Sequence, residues 1–476
     1  MHIQFLGATQ EVTGSCYLIK CAEFQILVEC GLIQGSYKDE ARNKESFKFD
    51  PKKIDAVILT HAHIDHSGRL PLLVKQGFTG PIYTHTATRD LCEVLLLDSA
   101  FLAERDAHTA SKKRLRKNKE PVIPIYTHAD VENTLPLFQP LEYAQKKEIL
   151  QGIHMRLQDA GHILGAGILE LWLIENGQQR KIVFSGDLGN SKIPILQDPM
   201  NIPQADLVIM ESTYGDRLHE EYKESLAALG KAIKAAQQDK GNILIPAFAV
   251  GRTQEILYFF QTHFKEWNLE TMEIFLDSPM AIRATEIYEK HWRLYNQSAK
   301  TSVLKHGSLY KLKNLHITKE TNESMRINNV VAGAIIIAGS GMCNGGRIQH
   351  HLKYNLWRKN CHVIFVGYQA QSTLGRTLID GAQEVMLWGD PVKVKAQIHS
   401  ITGFSAHADK KQLLDWYGHF QNHPPVFLIH GEPNAMTGLT QALYDRYTVH
   451  AFSPKVDQVI DLLDLKALKK LRHPSP

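Results

Sequence analysis

The sequence predicts an α/β protein in which one texture of chain is interrupted by another. Three observations carry that expectation. Residues 1–30 alternate apolar and polar positions in short runs (His2–Leu6, Ser15–Cys21, Phe24–Cys30) punctuated by Gly7 and Gly14, as strands of a hairpin-built sheet do. From about Leu207 to Arg376, apolar runs alternate with helical stretches across glycine-bearing loops, the layout of parallel strand–loop–helix units. Strand texture of the first kind then returns at Ala396–Ile401 and Val426–Ile429. At 476 residues the chain is long for one domain and suits two or three.

Composition narrows the class. Hydrophobic residues at 43% and charged residues at 22% are ordinary for a soluble globular protein. The formal net charge of +4 is a weak lean toward polyanionic partners. No apolar run approaches the ~18 residues of a membrane span, and the first residues lack the basic start and apolar core of a signal peptide. The six cysteines are scattered without a Cys-x-x-Cys pair, so they read as reduced core thiols of a cytoplasmic protein.

The densest chemistry lies in His61-Ala62-His63-Ile64-Asp65-His66, directly after the apolar run Ala56–Thr60 and before the helical stretch Leu70–Lys75. Side chains two apart share a face in extended backbone, so His61 and His63 can reach one ion. As the chain turns, Asp65 and His66 can point to a second. Imidazole nitrogen and carboxylate oxygen are ligands zinc accepts, and the spacing predicts a dinuclear metal site. An exposed polar turn rich in histidine is the plain alternative.

Further pieces follow in order. Glu29 closes the third strand and could orient a ligand histidine from behind, or simply be an exposed strand-end acid. The run Ser111–Lys119 holds six cations in nine residues and reads as a solvated loop, with contact to a phosphate backbone as the sharper alternative. His162 is framed by Gly161 and Gly165, and Asp187 sits in Gly186-Asp187-Leu188-Gly189 after the strand Lys181–Phe184. Each alone is weak; their order behind strands strengthens them. In the middle region, loops carrying Gly251-Arg252, Gly339–Arg347 and Tyr368–Arg376 lead into helix starts, where free amides bind phosphate.

This order of a strand, His61-x-His63-x-Asp65-His66, His162 and Asp187 resembles the metallo-β-lactamase superfamily. The resemblance implies two sheets face to face with helices outside, an αββα sandwich. It further implies His61, His63 and His162 on a first zinc, Asp65 and His66 on a second, and Asp187 bridging. Superfamily members that use iron carry Glu where this chain has His63, which resembles the zinc type. Glu211, His407 in Phe404-Ser405-Ala406-His407-Ala408-Asp409, and His430 in Ile429-His430-Gly431-Glu432 are similar to motifs A, B and C of the β-CASP nucleases. In that branch a parallel α/β domain is inserted in the lactamase domain. The boundaries expected here are 1–213 for the first lactamase part, 214–390 for the β-CASP domain and 391–476 for the lactamase remainder. The texture is nearest to the endonuclease subunit of the eukaryotic pre-mRNA 3′-end cleavage factor and its bacterial relatives. Neither the KH-type extension of archaeal relatives nor an added C-terminal domain is expected.

Histidine at motif C implies RNA, and His430 would complete the second metal's ligands. The resemblance therefore implies a two-zinc endoribonuclease that cuts single-stranded RNA, leaving 5′-phosphate and 3′-hydroxyl ends. Asp65, Glu211 and His407 are the expected catalytic residues, with His407 the general acid held by Glu211. Arg252, Ser340, Arg347, Ser372 and Arg376 are candidates to grip backbone phosphates. Competing readings are a 5′-exoribonuclease of the same family, a non-catalytic RNA-binding scaffold, and a zinc hydrolase of thioesters or lactams. A homodimer is compatible with the sequence, though no feature demands one.

Overall fold

The structure is a computed structural model that describes residues 1–191 and 193–465. It divides into two compact units. The first is built from the chain up to Leu218, apart from Ile193–Leu196, and from His407 onward; the second holds Ile193–Leu196 and His219–Ala406.

The first unit has two seven-stranded sheets. One runs in the order Val459–Asp461, His2–Phe5, Tyr17–Cys21, Phe24–Val28, Ala56–Ile58, Ile82–His85, Phe138–Leu141. The other runs Ala451–Phe452, Val426–Ile429, Leu207–Glu211, Gln178–Phe184, Gly167–Glu175, Ile153–Asp159, Lys147–Leu150. Period-2 alternation sends Ile3, Phe5, Tyr17 and Ile19 of the first sheet into one core with Leu169, Leu171, Ile209 and Phe427 of the second. Ring pairs Phe5–Phe427 and Tyr17–Phe184, with centroids 5.4 and 5.9 Å apart, stitch the two faces together. The expected sandwich is therefore present.

Each sheet changes character midway. One half of each is antiparallel, whereas Phe24–Val28, Ala56–Ile58, Ile82–His85 and the edge strand Phe138–Leu141 run parallel, as do Gln178–Phe184, Leu207–Glu211, Val426–Ile429 and the edge strand Ala451–Phe452. Parallel neighbours end on the same side, so the loops that follow them gather at one edge. Among the described residues no helix is long and apolar enough to cross a membrane, and all six cysteines are free and buried.

The second unit centres on a six-stranded parallel sheet, in the order Leu315–Ile317, Glu273–Leu276, Ala334–Ala338, Ile243–Pro246, His362–Phe365, Gln397–Ser400. Its last strand is the stretch Ala396–Ile401, which the sequence groups with the returning first texture. The structure instead pairs it in parallel with His362–Phe365, since Ile398 packs against this unit's own core. The basic run also differs from expectation. Lys112, Lys113 and Arg114 form the last turn of the helix Thr86–Leu115 rather than a loop. Lysine, arginine and leucine are good helix formers, and cations suit a helix C-terminus.

Asp277 anchors the second unit. Its buried carboxylate accepts from Thr318 Oγ1 and Ser324 Oγ at 2.6 Å each, from Arg347 at 2.7 Å, and lies 2.6 Å from His351 Nε2. Burial pushes its pKa up, but the bonds from His351, Ser324 and Thr318 outweigh that and hold it at about 2. A depressed carboxylate supplies stability above its unfolded pKa of roughly 4, and that stability is lost as pH falls toward 2. Asp277→Asn is expected to cost about 3 kcal/mol at pH 7. In urea titrations its deficit against wild type should shrink between about pH 4 and pH 2.

Candidate metal centre and active site

The site grows from strand ends of the first unit. After Ala56–Ile58 the chain leaves the sheet through Leu59 and Thr60, and His63 caps the short helix Ile64–Ser67 that carries Asp65 and His66. Backbone bonds pin this loop: Ser15 N donates to Asp65 O at 2.9 Å, and Cys30 N to His66 O at 2.8 Å. Gly31 lets the two segments touch, since a Cβ there would lie 1.6 Å from Asp65 O. The loops bearing His162 and Asp187 are sewn together likewise. Gly189 N donates to Ala160 O at 2.7 Å, and a Cβ on Gly189 would lie 2.1 Å from Gly161 O. His430 follows directly on the strand Val426–Ile429.

These loops bring seven side chains into one cluster. His61 Nε2 and His162 Nε2 each lie 3.2 Å from His63 Nδ1, and 3.4 and 3.7 Å from Asp187 Oδ2. Beside them His66 Nε2 lies 3.4 Å from His430 Nε2 and 3.4 Å from Asp187 Oδ1, while Asp65 Oδ2 is 3.3 Å from His430 Nε2. A tetrahedral zinc with arms of about 2.0–2.1 Å has ligand-to-ligand edges of about 3.3–3.4 Å, so both groups have the size of a zinc shell. Asp187 faces both groups, and its buried Oδ1 takes no hydrogen bond.

The far sides of the rings are held. His66 Nδ1 is 2.9 Å from Glu29 Oε2, whose other oxygen accepts from Thr60 N at 2.7 Å. His61 Nδ1 is 3.0 Å from Thr60 Oγ1, and His430 Nδ1 is 3.1 Å from Thr213 Oγ1. Such partners fix which nitrogen points into a metal site. The Glu29 contact was suggested by its strand-end position; Thr60 and Thr213 were missed, because a threonine beside a ligand carries no sequence signal of its own.

Charge follows the same division. Burial, with the neighbouring His66, pushes His61 down to about 4, and burial with His61 pushes His63 down to about 3, so both rings are neutral and ready to ligate. Burial also works against charge on His66, yet Asp187, Asp65 and Glu29 outweigh it and raise that ring well above the ordinary range.

Glu211 and His407 form a second group against Asp187. His407 Nδ1 is 3.3 Å from both Glu211 oxygens and 4.0 Å from Asp187 Oδ2. Glu211 is fixed from behind, accepting from Leu188 N at 2.6 Å. Burial would lower the His407 pKa, but the Glu211 charge and hydrogen bond, with Asp187 and Asp65, raise it to about 9. Its side chain keeps 21% of its surface open, against 2% for Asp187.

The five candidate phosphate contacts all belong to the second unit and contribute nothing to this cluster. Arg252 pairs with Glu255, and Arg376 with Asp380 at 2.8 Å. Arg347 gives one nitrogen to Asp277 and the Thr318 carbonyl, and the other to the Lys319 carbonyl. Ser340 Oγ lies 3.4 Å from Gly345 O, and Ser372 is exposed.

Comparison with known proteins agrees with this architecture. A metallo-beta-lactamase superfamily model matches residues 9–247, a Beta-Casp domain model residues 253–378, and a model described as a Zn-dependent metallo-hydrolase RNA specificity domain residues 391–454. The chain belongs to the β-CASP family of the metallo-β-lactamase superfamily. It is 38% identical over 93% of its length to Ribonuclease TTHA0252 of Thermus thermophilus, covering 96% of that protein. It is 31% identical to Transcription termination factor FttA of Methanosarcina mazei, over 94% of this chain and 70% of that one. A crystal structure of a protein of unknown function from Enterococcus faecalis shares the fold, with TM-score 0.54 and 12% identity over 96% of this chain and 99% of that one. This β-CASP protein is a metal-dependent hydrolase, and its His/Asp cluster has the donor atoms and spacing to hold metal. Glu29→Gln, which leaves His66 poorly oriented, is expected to weaken metal affinity 10- to 100-fold in chelator competition.

Proposed function

We propose that this chain is a zinc-dependent endoribonuclease that cuts single-stranded RNA and leaves 5′-phosphate and 3′-hydroxyl ends. The observation that carries the reading is the junction of two zinc-sized ligand groups at Asp187 with the Glu211–His407 pair beside them. The RNA specificity model spans His407 and His430, and the most similar relatives reported above are named a ribonuclease and a termination factor.

In this reading His61, His63 and His162 hold one zinc, Asp65, His66 and His430 the other, and Asp187 both. Two such ions, when bound, acidify a water and draw charge from the phosphate oxygens. The chain's own residues do the rest. His407 keeps an open side with room to meet substrate, and Glu211 keeps its Nδ1 proton in place, so Nε2 presents the proton outward. As water oxygen adds to phosphorus and the P–O3′ bond breaks, His407 donates that proton to the departing 3′ oxygen. A 3′-hydroxyl and a 5′-phosphate result. Asp65 and His63 are partly open as well. Arg252, Ser340, Ser372 and Arg376 are proposed to meet backbone phosphates by exchanging internal partners for RNA. Arg347 was a further candidate, and its three internal acceptors favour a supporting role under the Gly339–Arg347 loop. Buried, reduced cysteines support a cytoplasmic setting.

The test is cleavage of a 5′-labelled single-stranded RNA by zinc-loaded protein, with DNA of equal length alongside. Internal fragments from RNA alone are expected. His407→Ala should lower kcat by about 10²–10⁴ while retaining metal, and Asp187→Ala should lose both metal and activity. Release of mononucleotides only would assign the exonuclease mode, and intact RNA with two bound metals would overturn the reading.

A further inference from the structure

The outer face of the helix Ile348–Asn355 carries aromatic surface that its packing does not use. Leu352 and Leu356 point into the core of the second unit, whereas His350, Tyr354 and Trp357, spaced four and three residues apart, share the opposite face. Tyr354 and Trp357 are 51% and 56% exposed. A fourth ring comes from the hairpin Glu384–Leu387/Asp390–Lys393, where Trp388 is 53% exposed beside Met386. The Trp388 ring lies 4.3 Å from that of His350, and Lys353 Nζ is 5.7 Å from its centroid. Lys353 also pairs with Asp390.

The hairpin turn shows that this placement is not incidental. Leu387 faces Asp390 in the register, so Trp388 and Gly389 are the two loop residues, with φ of +52° and +91°. Positive φ at both positions is what a type I′ turn requires, and Asn-Gly is the pair that suits it. A bulky ring in the left-handed region is disfavoured there. The turn thus accepts local strain to hold an indole that stays half exposed after its contacts with His350 and Lys353, and a local rule broken for so little burial points to function.

We propose that this face is a stacking platform for the bases of single-stranded RNA, a second substrate contact on elements that give nothing to the His/Asp cluster. It rests on the ribonuclease reading above. Centres of protein–protein interfaces are depleted of charge, whereas here the Lys353–Asp390 ion pair sits against the Trp388 ring. Exposed aromatic faces with a lysine nearby suit single-stranded nucleic acid without regard to sequence, since every base has a face to stack.

Trp388→Asn separates the platform from the fold, because it gives the turn its preferred residue while removing the ring. The zinc-loaded full chain would be assayed with a labelled oligouridine. In Trp388→Asn the KM is expected to rise about tenfold, the loss of one stacked base, while the thermal midpoint holds or rises. Trp357→Ala should act in the same direction, and Trp388→Phe should restore most of the affinity. An unchanged KM in Trp388→Asn overturns the platform and leaves the ribonuclease reading intact. So does a variant whose only change is loss of a dimer in sedimentation, which would assign the face to a second copy of the chain. Wild-type protein that neither cuts nor binds the RNA would instead overturn the reading on which the platform rests.

Discussion

Five imidazoles and two carboxylates packed into one cluster form an arrangement that only positive charge can hold. Ring nitrogens facing each other at 3.2–3.4 Å with lone pairs between them repel unless a proton or a metal ion intervenes. Asp187 is the hinge of that constraint, its two oxygens turned to the two groups. Burial, the local glycine contacts and the ring partners behind the histidines all keep ligands close that would otherwise separate. The sandwich is in this sense scaffolding for a concentration of lone pairs, and the close approaches at Gly31 and Gly189 are the fold's concession to it.

The same constraint explains the edge at which the site lies. Parallel strands in one half of each sheet end side by side, so loops far apart in sequence meet without long excursions. Glu211 and His430 come from neighbouring parallel strands though 219 positions separate them in numbering, with Glu211 opposite Ile429 in the ladder. His407 is brought in by backbone pairing with Gly189. A hairpin sheet alone could not assemble this set, which is why both sheets turn parallel where the chemistry is.

Much of this could be read from residues. The spacing of His61, His63, Asp65 and His66 announces a ligand cluster because four donors at a strand end have few other uses. His162 and Asp187 carry meaning only through their order, and their convergence with His430 depends on a sheet pairing that no local pattern encodes. The helix over Lys112–Arg114 was hidden because a run of like charges reads as solvated loop even when every residue in it favours a helix. The strand Gln397–Ser400 was grouped with the wrong texture because a short apolar run does not declare which sheet will accept it. The bond of Arg347 to Asp277 has no local signal, because its acceptor lies 70 residues upstream and meets it only in the folded unit. Trp388 was passed over, since a tryptophan before a glycine is a poor turn signal.

The interruption of the first unit has a consequence for how the protein comes into being. Synthesis delivers six of the seven clustered side chains, and Glu211, before His407 and His430 exist. The strand Val426–Ile429 fills the gap beside Leu207–Glu211 only after the whole second unit has emerged, and domains tend to fold as they are made. A nascent or prematurely released chain therefore has an open sheet edge and an incomplete donor set. With His407 and His430 in the roles proposed for them, an enzyme made beside the cell's most abundant RNA would stay unarmed until the stretch bearing them is translated.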